Sequence, residues 1–340
     1  ALCRSVLHAD GTAAAFFAGH EITTELREHL GPDVEISDEQ HFGDYLRQLG
    51  DAGKSVLVNK AVCPGFVFDA LAESGATIRE GDDPLILFRG IKNDVEVQGA
   101  RNAHIRDGVA MVKFLHWLEI SWSDGITEID AVRKLEAFRA EDGAMRDISF
   151  DTISGSGPNG AIIHYRVSEA SDRLLGNGEL FLVDSGAQYE DGTTDITRTI
   201  ALGEQPDERK DRFTRVLQGH IALATARFPA DTSGYQLDTL ARQPLWNAGL
   251  DYAHGTGHGV GTFLGVHEGP QSVAKRAPYV PLQPGMILSN EPGFYVDGEY
   301  GIRIENLVVV RQSTAGEMLE FATLTLAPID RSLVDTTLMT

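Results

Sequence analysis

The chain has 340 residues, enough for two domains, and carries 50 acidic residues against 29 basic ones for a formal charge of −21. That balance opposes phosphate neutralisation and so excludes nucleic acid as a partner; it also opposes attachment to anionic lipid. No apolar run reaches the ~20 residues needed to span a bilayer, and the opening ALCRSVLHAD lacks the basic start and apolar core of a secretory signal. The first residue is Ala, so a processed chain or a fragment is expected. Cys3 and Cys63 could pair on number alone. Two thiols make neither a disulfide framework nor a thiolate zinc site, and a reducing cytoplasm is the expected compartment.

Residues 1–86 read as a small α/β unit. Ser37 with Gln40 forms a capping-box pattern, Phe42, Leu46 and Leu49 then recur at helical spacing, and Gly50 and Gly53 stop the helix. SVLVN at 55–59 reads as a short buried strand, ATIREGDDP at 76–84 as turns, and LILF at 85–88 as the apolar run leading into a second unit, 87–340. There, 94–117 reads as a helix whose stripe Ile105, Val109, Val112 and Leu115 is expected in the core. Thr127 and Asp130 cap a second helix containing Ile129, Val132 and Leu135. Segment 207–227, started by Pro206, is a third, and 237–246 a fourth. Strands are expected at 179–186, 194–202, 285–293 and 301–310. The order is a coarse duplication: helices and then a strand pair with two Asp, helices and then a strand pair with two Glu.

Asp184 ends the apolar strand LFLVD, and Asp195 begins another after QYEDGTT. At the same end of paired antiparallel strands they can face each other, with Asp195, Thr197 and Thr199 on one face and Ile196 and Ile200 on the other. Glu291 ends MILSNE. Glu305 lies in IRIEN, sharing a face with Arg303 while Ile302 and Ile304 point away. Four carboxylates flanked by apolar residues are costly to bury unpaired. Arg303 and Arg198 could balance part of the charge; two divalent cations would balance all of it. HGTGHGVG at 254–261 is too glycine-rich for a helix and reads as a loop passing close to a site, with His258 its best ligand. One imidazole among carboxylates favours Mn²⁺ or Co²⁺ over a thiolate-type zinc site, although Zn²⁺ also accepts such donors.

With those residues in view, the chain resembles the methionine aminopeptidase, prolidase and Xaa-Pro aminopeptidase superfamily. Asp184 in VDSGAQY, Asp195 in DGTTDITRT, His258 in HGTGHGVG, Glu291 in SNEPG and Glu305 in GIRIEN match its five metal ligands. SGPNGAIIHY at 156–165 and GVHEGP at 265–270 bring it nearer to the longer, three-domain Xaa-Pro aminopeptidases. The resemblance implies an α+β fold: a pita-bread catalytic domain at 87–340, with a curved antiparallel sheet in two pseudo-symmetric halves, after a non-catalytic α/β domain at 1–86. It also implies that the family's first domain and terminal helix lie outside this chain.

The resemblance further implies the roles. Asp195 and Glu305 would bridge two metals, most simply manganese, Asp184 would chelate one, and His258 and Glu291 would hold the other. A hydroxide between the ions would attack the scissile carbonyl, with Glu291 shuttling the proton. His164 and His267 would hydrogen-bond the carbonyl or its tetrahedral intermediate. His254 and Tyr295 would line a proline pocket, and Arg303 would orient the ligands. By itself a histidine before a tyrosine, as at His164, is more often structural, and Tyr295 and Arg303 could be a core tyrosine and an ion pair. His8, His20, His41, His104, His116 and His220 show no partner pattern and read as surface or core. The expected activity is cleavage before a penultimate proline, the expected partners are such peptides, and the full-length form is expected to be a homodimer. The alternatives are a prolidase restricted to Xaa-Pro dipeptides and an inactive pita-bread binding module; intact ligands argue against the latter.

Overall fold

The structure is a computed structural model; it describes residues 3–339, with the side chain of His20 also outside the described set. The chain divides into two compact units, Ala1–Leu85 and Ile86–Thr340.

The first unit is α/β. Strands β1 (Cys3–Leu7), β2 (Ala13–Phe17) and β3 (Val34–Asp38) form one sheet, β2 running antiparallel to β1 and parallel to β3. A parallel pair, β4 (Ser55–Val58) and β5 (Thr77–Glu80), forms another. Helices α1 (Thr24–Leu30), α2 (Phe42–Asp51) and α3 (Gly65–Glu73) accompany them. Phe16, Phe42, Leu46, Val58, Val67 and Leu71 make the core. Three expectations need correction. The cap near α2 is Asp38, not Ser37: its carboxylate accepts from the Gln40 N–H at 3.0 Å, heading a 3₁₀ turn that runs into the helix. Segment 76–84 contains β5, because Ile78 packs against the core beside Val56. In β4 only Val58 is buried, so that strand is half exposed. The thiols of Cys3 and Cys63 are free.

Helix α4 (Pro84–Gly90) carries the run 85–88, and the second unit continues with α5 (Asp94–Ser121) and α6 (Glu128–Ala140). Asn93 and Glu96 box the start of α5, Thr127 and Asp130 that of α6. Strands β6 (Met145–Ile148), β7 (Ile153–Ser156), β8 (Glu179–Ser185), β9 (Ala187–Tyr189), β10 (Gly192–Thr193) and β11 (Ile196–Leu202) follow. The second half repeats the plan with α7 (Asp207–Ala224), β12 (Arg227–Pro229) and α8 (Gly234–Trp246). Then come β13 (Gly257–His258), β14 (Ser272–Val273), β15 (Ile287–Asn290), β16 (Gly293–Val296), β17 (Tyr300–Arg303), β18 (Asn306–Gln312) and β19 (Met318–Thr323). The sheets run β11-β8-β7, β10-β9-β6, β12-β19-β18-β15, β13-β14 and β16-β17. Every strand pairing among the described residues of this unit is antiparallel. The unit is the expected α+β architecture in two halves.

The stripe on α5 is the main error of the sequence reading. Ile105, Val109 and Val112 are 54%, 53% and 48% exposed. The buried face is instead Ala100, Ala103, Ala110, Met111, Phe114 and Leu118 with glycines between them. A Cβ at Gly99 would stand 2.3 Å from the carbonyl oxygen of Asp191, and one at Gly108 2.6 Å from that of Leu326. The helix lies against backbone through its smallest residues, which a search for large apolar side chains passes over. The expected strand 301–310 is also broken: Ile304 and Glu305 fall between β17 and β18. The halves meet there, where the Glu305 N–H donates to the Thr197 carbonyl at 3.2 Å. Thr199 Oγ1 accepts from the Arg303 N–H and donates to the Arg303 carbonyl, both at 3.0 Å.

Candidate metal centre

Asp184 lies within β8, opposite Thr197 on one side and Ile153 on the other. Asp195 immediately precedes β11. Strand alternation turns Thr197 toward Asp184's face and brings Asp195 onto the same side. Glu291 follows β15, where its N–H donates to the Thr256 carbonyl at 2.8 Å. His258 in β13 is placed by its N–H, which donates to Ser289 Oγ at 2.9 Å; the same Ser289 hydroxyl donates to Glu291 Oε1 at 3.0 Å. One serine thus holds the backbone of His258 and the carboxylate of Glu291.

These elements bring Asp184, Asp195, His258, Glu291 and Glu305 to the wall of one cavity of about 420 Å³, with His164, His254, His267 and Arg303 on the same wall. His258 Nε2 is 3.5 Å from Asp195 Oδ2 and 3.4 Å from Glu291 Oε1. Asp195, His258 and Glu305 each offer a ligand atom within 4.8 Å of the others. Nδ1 of His258 lies 3.0 Å from the Gly259 carbonyl. A carbonyl only accepts, so Nδ1 carries the proton and Nε2 faces the carboxylates as the ligand atom.

Asp184 and Glu291 sit at the edge of that compact trio. Asp184 Oδ2 accepts from Arg303 Nη2 at 2.6 Å, while its Oδ1 is buried with no hydrogen-bond partner. Glu305 Oε2 accepts from Thr197 Oγ1 at 2.7 Å. Loss of solvation, with repulsion between neighbours, pushes the Asp195 carboxyl up to about 6, Glu291 up to about 7 and Glu305 well above the usual range. Burial alone would lower His258; the bond to Asp195 and the charge of Glu291 reverse that and raise it to about 9. Four acids and one imidazole with an orphaned buried Asp184 oxygen are the donors that oxygen-preferring divalent cations require. The residues fit such a centre.

Arg303 links this cluster to a second one. Its guanidinium holds Asp184 and also donates from Nη1 to the Tyr295 hydroxyl at 2.7 Å. Tyr295 in turn lies 2.9 Å from His254 Nε2. His254 Nδ1 donates to the Gly255 carbonyl at 2.7 Å, so Nε2 is the acceptor for the tyrosine proton. Burial and the nearby Arg303 charge lower His254 to about 3, which keeps it neutral. His267 packs edge-on to His258, with ring centroids 4.2 Å apart. His164 is exposed at the cavity wall.

The charge balance differs from the sequence reading in one respect. Arg198 gives its protons to the carbonyls of Thr197, Glu305, Ala327 and Pro328 and to Asn306, and none to a carboxylate. It is a backbone clamp whose charge reaches Glu305 through space and without a hydrogen bond. Sequence reasoning did not single out Ser289, nor Thr197 as a partner of Glu305. It also passed over Asp151 and Arg166 at the cavity wall, an exposed pair 3.3 Å apart. Thr197 left a signal in its place on the Asp195 face; Ser289 left none. Of the remaining histidines, His104 and His220 are buried, and His8 bonds Tyr45 at 2.7 Å.

Residues 98–312 match the model of metallopeptidase family M24. A probable Xaa-Pro aminopeptidase P of Aspergillus niger is 43% identical over 94% of this chain and 55% of its own length. One from Laccaria bicolor is 49% identical over 88% of this chain and 48% of its own. The chain therefore spans about half the length of the curated relatives it matches. Among solved structures, the X-prolyl aminopeptidase of Caenorhabditis elegans, described as a cytosolic enzyme with a di-nuclear active site, superposes with a TM-score of 0.89 at 36% identity, covering 96% of this chain and 55% of that one. The Xaa-Pro dipeptidase of Bacillus anthracis gives 0.77 at 26% identity, covering 94% and 86%.

Proposed function

The chain belongs to metallopeptidase family M24, and we propose that it is the catalytic part, with one preceding domain, of a dinuclear Xaa-Pro aminopeptidase. The observation that carries this reading is the convergence of Asp184, Asp195, His258, Glu291 and Glu305 on one cavity, with an Asp184 oxygen buried and unpartnered. Residues 86–340 would be the catalytic domain and 1–85 the non-catalytic one. Asp184, Asp195 and Glu305 would hold one cation, and His258 and Glu291, with Asp195 and Glu305 shared, the other. The oxygen-rich donor set favours manganese, with cobalt or zinc as substitutes. Bound divalent cations supply Lewis acidity at the scissile carbonyl and lower the pKa of the attacking water.

The chain's own groups do the rest. Glu291, set beside His258 by Ser289, takes the proton of the attacking water and returns it to the departing proline nitrogen. His164 and His267, exposed at the cavity wall, donate hydrogen bonds to the developing oxyanion. His254 lines the wall for the proline ring with Tyr295 behind it, and their mutual hydrogen bond occupies the polar atoms that an ordinary amide N–H would seek. Proline has no N–H and a fixed φ, so such a wall suits it and leaves the N–H of alanine unpaired. The cytoplasm and a homodimeric full-length form complete the reading; the C. elegans enzyme is described as cytosolic.

The test is a cleavage assay on the metal-loaded protein. Ala-Pro-Ala should be cut after the first residue, with kcat/KM about a hundredfold above that for Ala-Ala-Ala, since an unpaired N–H and an unfilled pocket each cost about 1–3 kcal/mol. Equal values for the two would end the specificity claim. Cleavage of Ala-Pro but not of Ala-Pro-Ala would assign the chain to the prolidases, to which the likeness of the B. anthracis dipeptidase also points.

A further inference from the structure

We propose that Glu128 is a positioning residue that acts through Tyr165 to hold His164 at the cavity; this rests on the reading of His164 as a substrate contact. His164 is exposed, and its ring makes no hydrogen bond to protein among the described residues. Its placement therefore depends on its backbone. The next residue, Tyr165, is buried and anchors it. The Tyr165 hydroxyl lies 3.0 Å from Glu128 Oε2 and is approached at 2.8 Å by Asn159 Nδ2. Serine oxygens of Ser171 lie at 3.0 and 3.2 Å, but the single hydroxyl proton has its strongest acceptor in the carboxylate.

Glu128 grips both ends of the segment that carries His164. Oε1 accepts from the Ser156 N–H at 2.7 Å and from Asn159 Nδ2 at 3.1 Å, while Oε2 accepts from Asn159 Nδ2 and the Tyr165 hydroxyl, each at 3.0 Å. The residue is fully buried and is the first of α6. Its own backbone is tied as well: its N–H donates to the Arg173 carbonyl and its carbonyl accepts from Ser154 Oγ. Burial raises its carboxyl pKa, and the bonds from Ser156, Asn159 and Tyr165 with the charge of Arg173 reduce that rise without cancelling it. No Lys or Arg among the described residues hydrogen-bonds it; the N-terminus of α6 supplies the favourable end of a helix dipole. A carboxylate accepts on both oxygens. A glutamine would accept on one only and turn an NH₂ toward a donor, so the two-sided grip requires the acid.

The inference is tested with the full metal-loaded chain by a double-mutant cycle in kcat. Glu128→Gln should lower kcat for Ala-Pro-Ala by ~10–100-fold, since a displacement near 1 Å carries a cost of that order, with KM and bound metal unchanged. In a His164→Ala background the same change should cost less than about twofold, because the group it positions is gone. Should Glu128→Gln fail to fold, Tyr165→Phe removes only the hydroxyl and carries the same comparison, with a loss of about 5–10-fold expected. Equal losses in both backgrounds, or loss of metal, would overturn the inference while leaving the proposed activity standing. A wild-type chain that binds metal but cleaves no peptide would overturn both.

Discussion

The two halves of the larger unit contribute the same number of carboxylates, but only the first half places one inside a strand. Asp184 sits inside a strand paired on both sides, whereas Asp195 stands just before β11. Glu291 and Glu305 stand just outside β15 and β18, where the chain bends, and reach the cavity with one more methylene. Asp184 alone is held within a regular frame; the other three acids stand at strand ends. Exposure singles out one acid of the second half: the Glu291 side chain is 16% exposed against 11% for Asp184 and 5% for Asp195, while Glu305 is fully buried. On the proposed reading Asp184, Asp195 and Glu305 are the fixed frame of the centre, and Glu291 is the group that would meet water and substrate.

If that division is right, loss of Glu291 appears in turnover and losses at the frame in stability. Glu291→Gln should lower kcat by ~10²–10⁴ with little change in KM. Metal content must be measured in the same preparation, and a retained kcat with raised KM would reduce Glu291 to a binding group. Arg303→Met strips Asp184 of its partner in a buried site. Metal-free protein should lose about 3–5 kcal/mol in denaturant unfolding, less once cations are supplied; an unchanged midpoint would break the picture of a rigid frame. Thr197→Val, of nearly the same shape, removes the hydroxyl that donates to Glu305 across the halves. A destabilisation of about 1–3 kcal/mol is expected, and an effect confined to kcat would contradict the assignment.

The smallest expected effect is a pH trend. The folded metal-free protein holds Asp195, Glu291 and Glu305 above the ordinary carboxyl range and His258 at about 9. Groups raised in this way contribute stability that is present below their unfolded values and lost as pH rises through the folded ones. Metal-free protein should therefore weaken from about pH 4 to pH 9, while metal binding, which needs the deprotonated ligands, strengthens over the same span. The gap in Tm between loaded and metal-free protein should widen with pH. A gap that is constant or narrows would show that these groups do not titrate against the metal.

The candidate ligands were legible in the sequence because Asp184 and Asp195 interrupt apolar alternation, and because the glycines around His258 mark a close approach. Helices announced by side-chain caps, as at Thr127, were equally plain. The face of α5 was not, since it packs through Gly99, Ala100, Ala103 and Gly108 against backbone, and the larger Ile105 and Val109 drew attention to the solvent side. Ser289 and Glu128 were silent for another reason. Their importance lies in hydrogen bonds to residues far along the chain, which no local period records.

The central claim is that five residues from two halves make one centre for two cations. Equilibrium dialysis of metal-free protein against Mn²⁺ tests it most directly. The account predicts two ions per chain, with binding reduced in Asp184→Asn and abolished in Glu305→Ala. A chain that binds no cation, or a Glu305→Ala variant that binds as the wild type does, would contradict it.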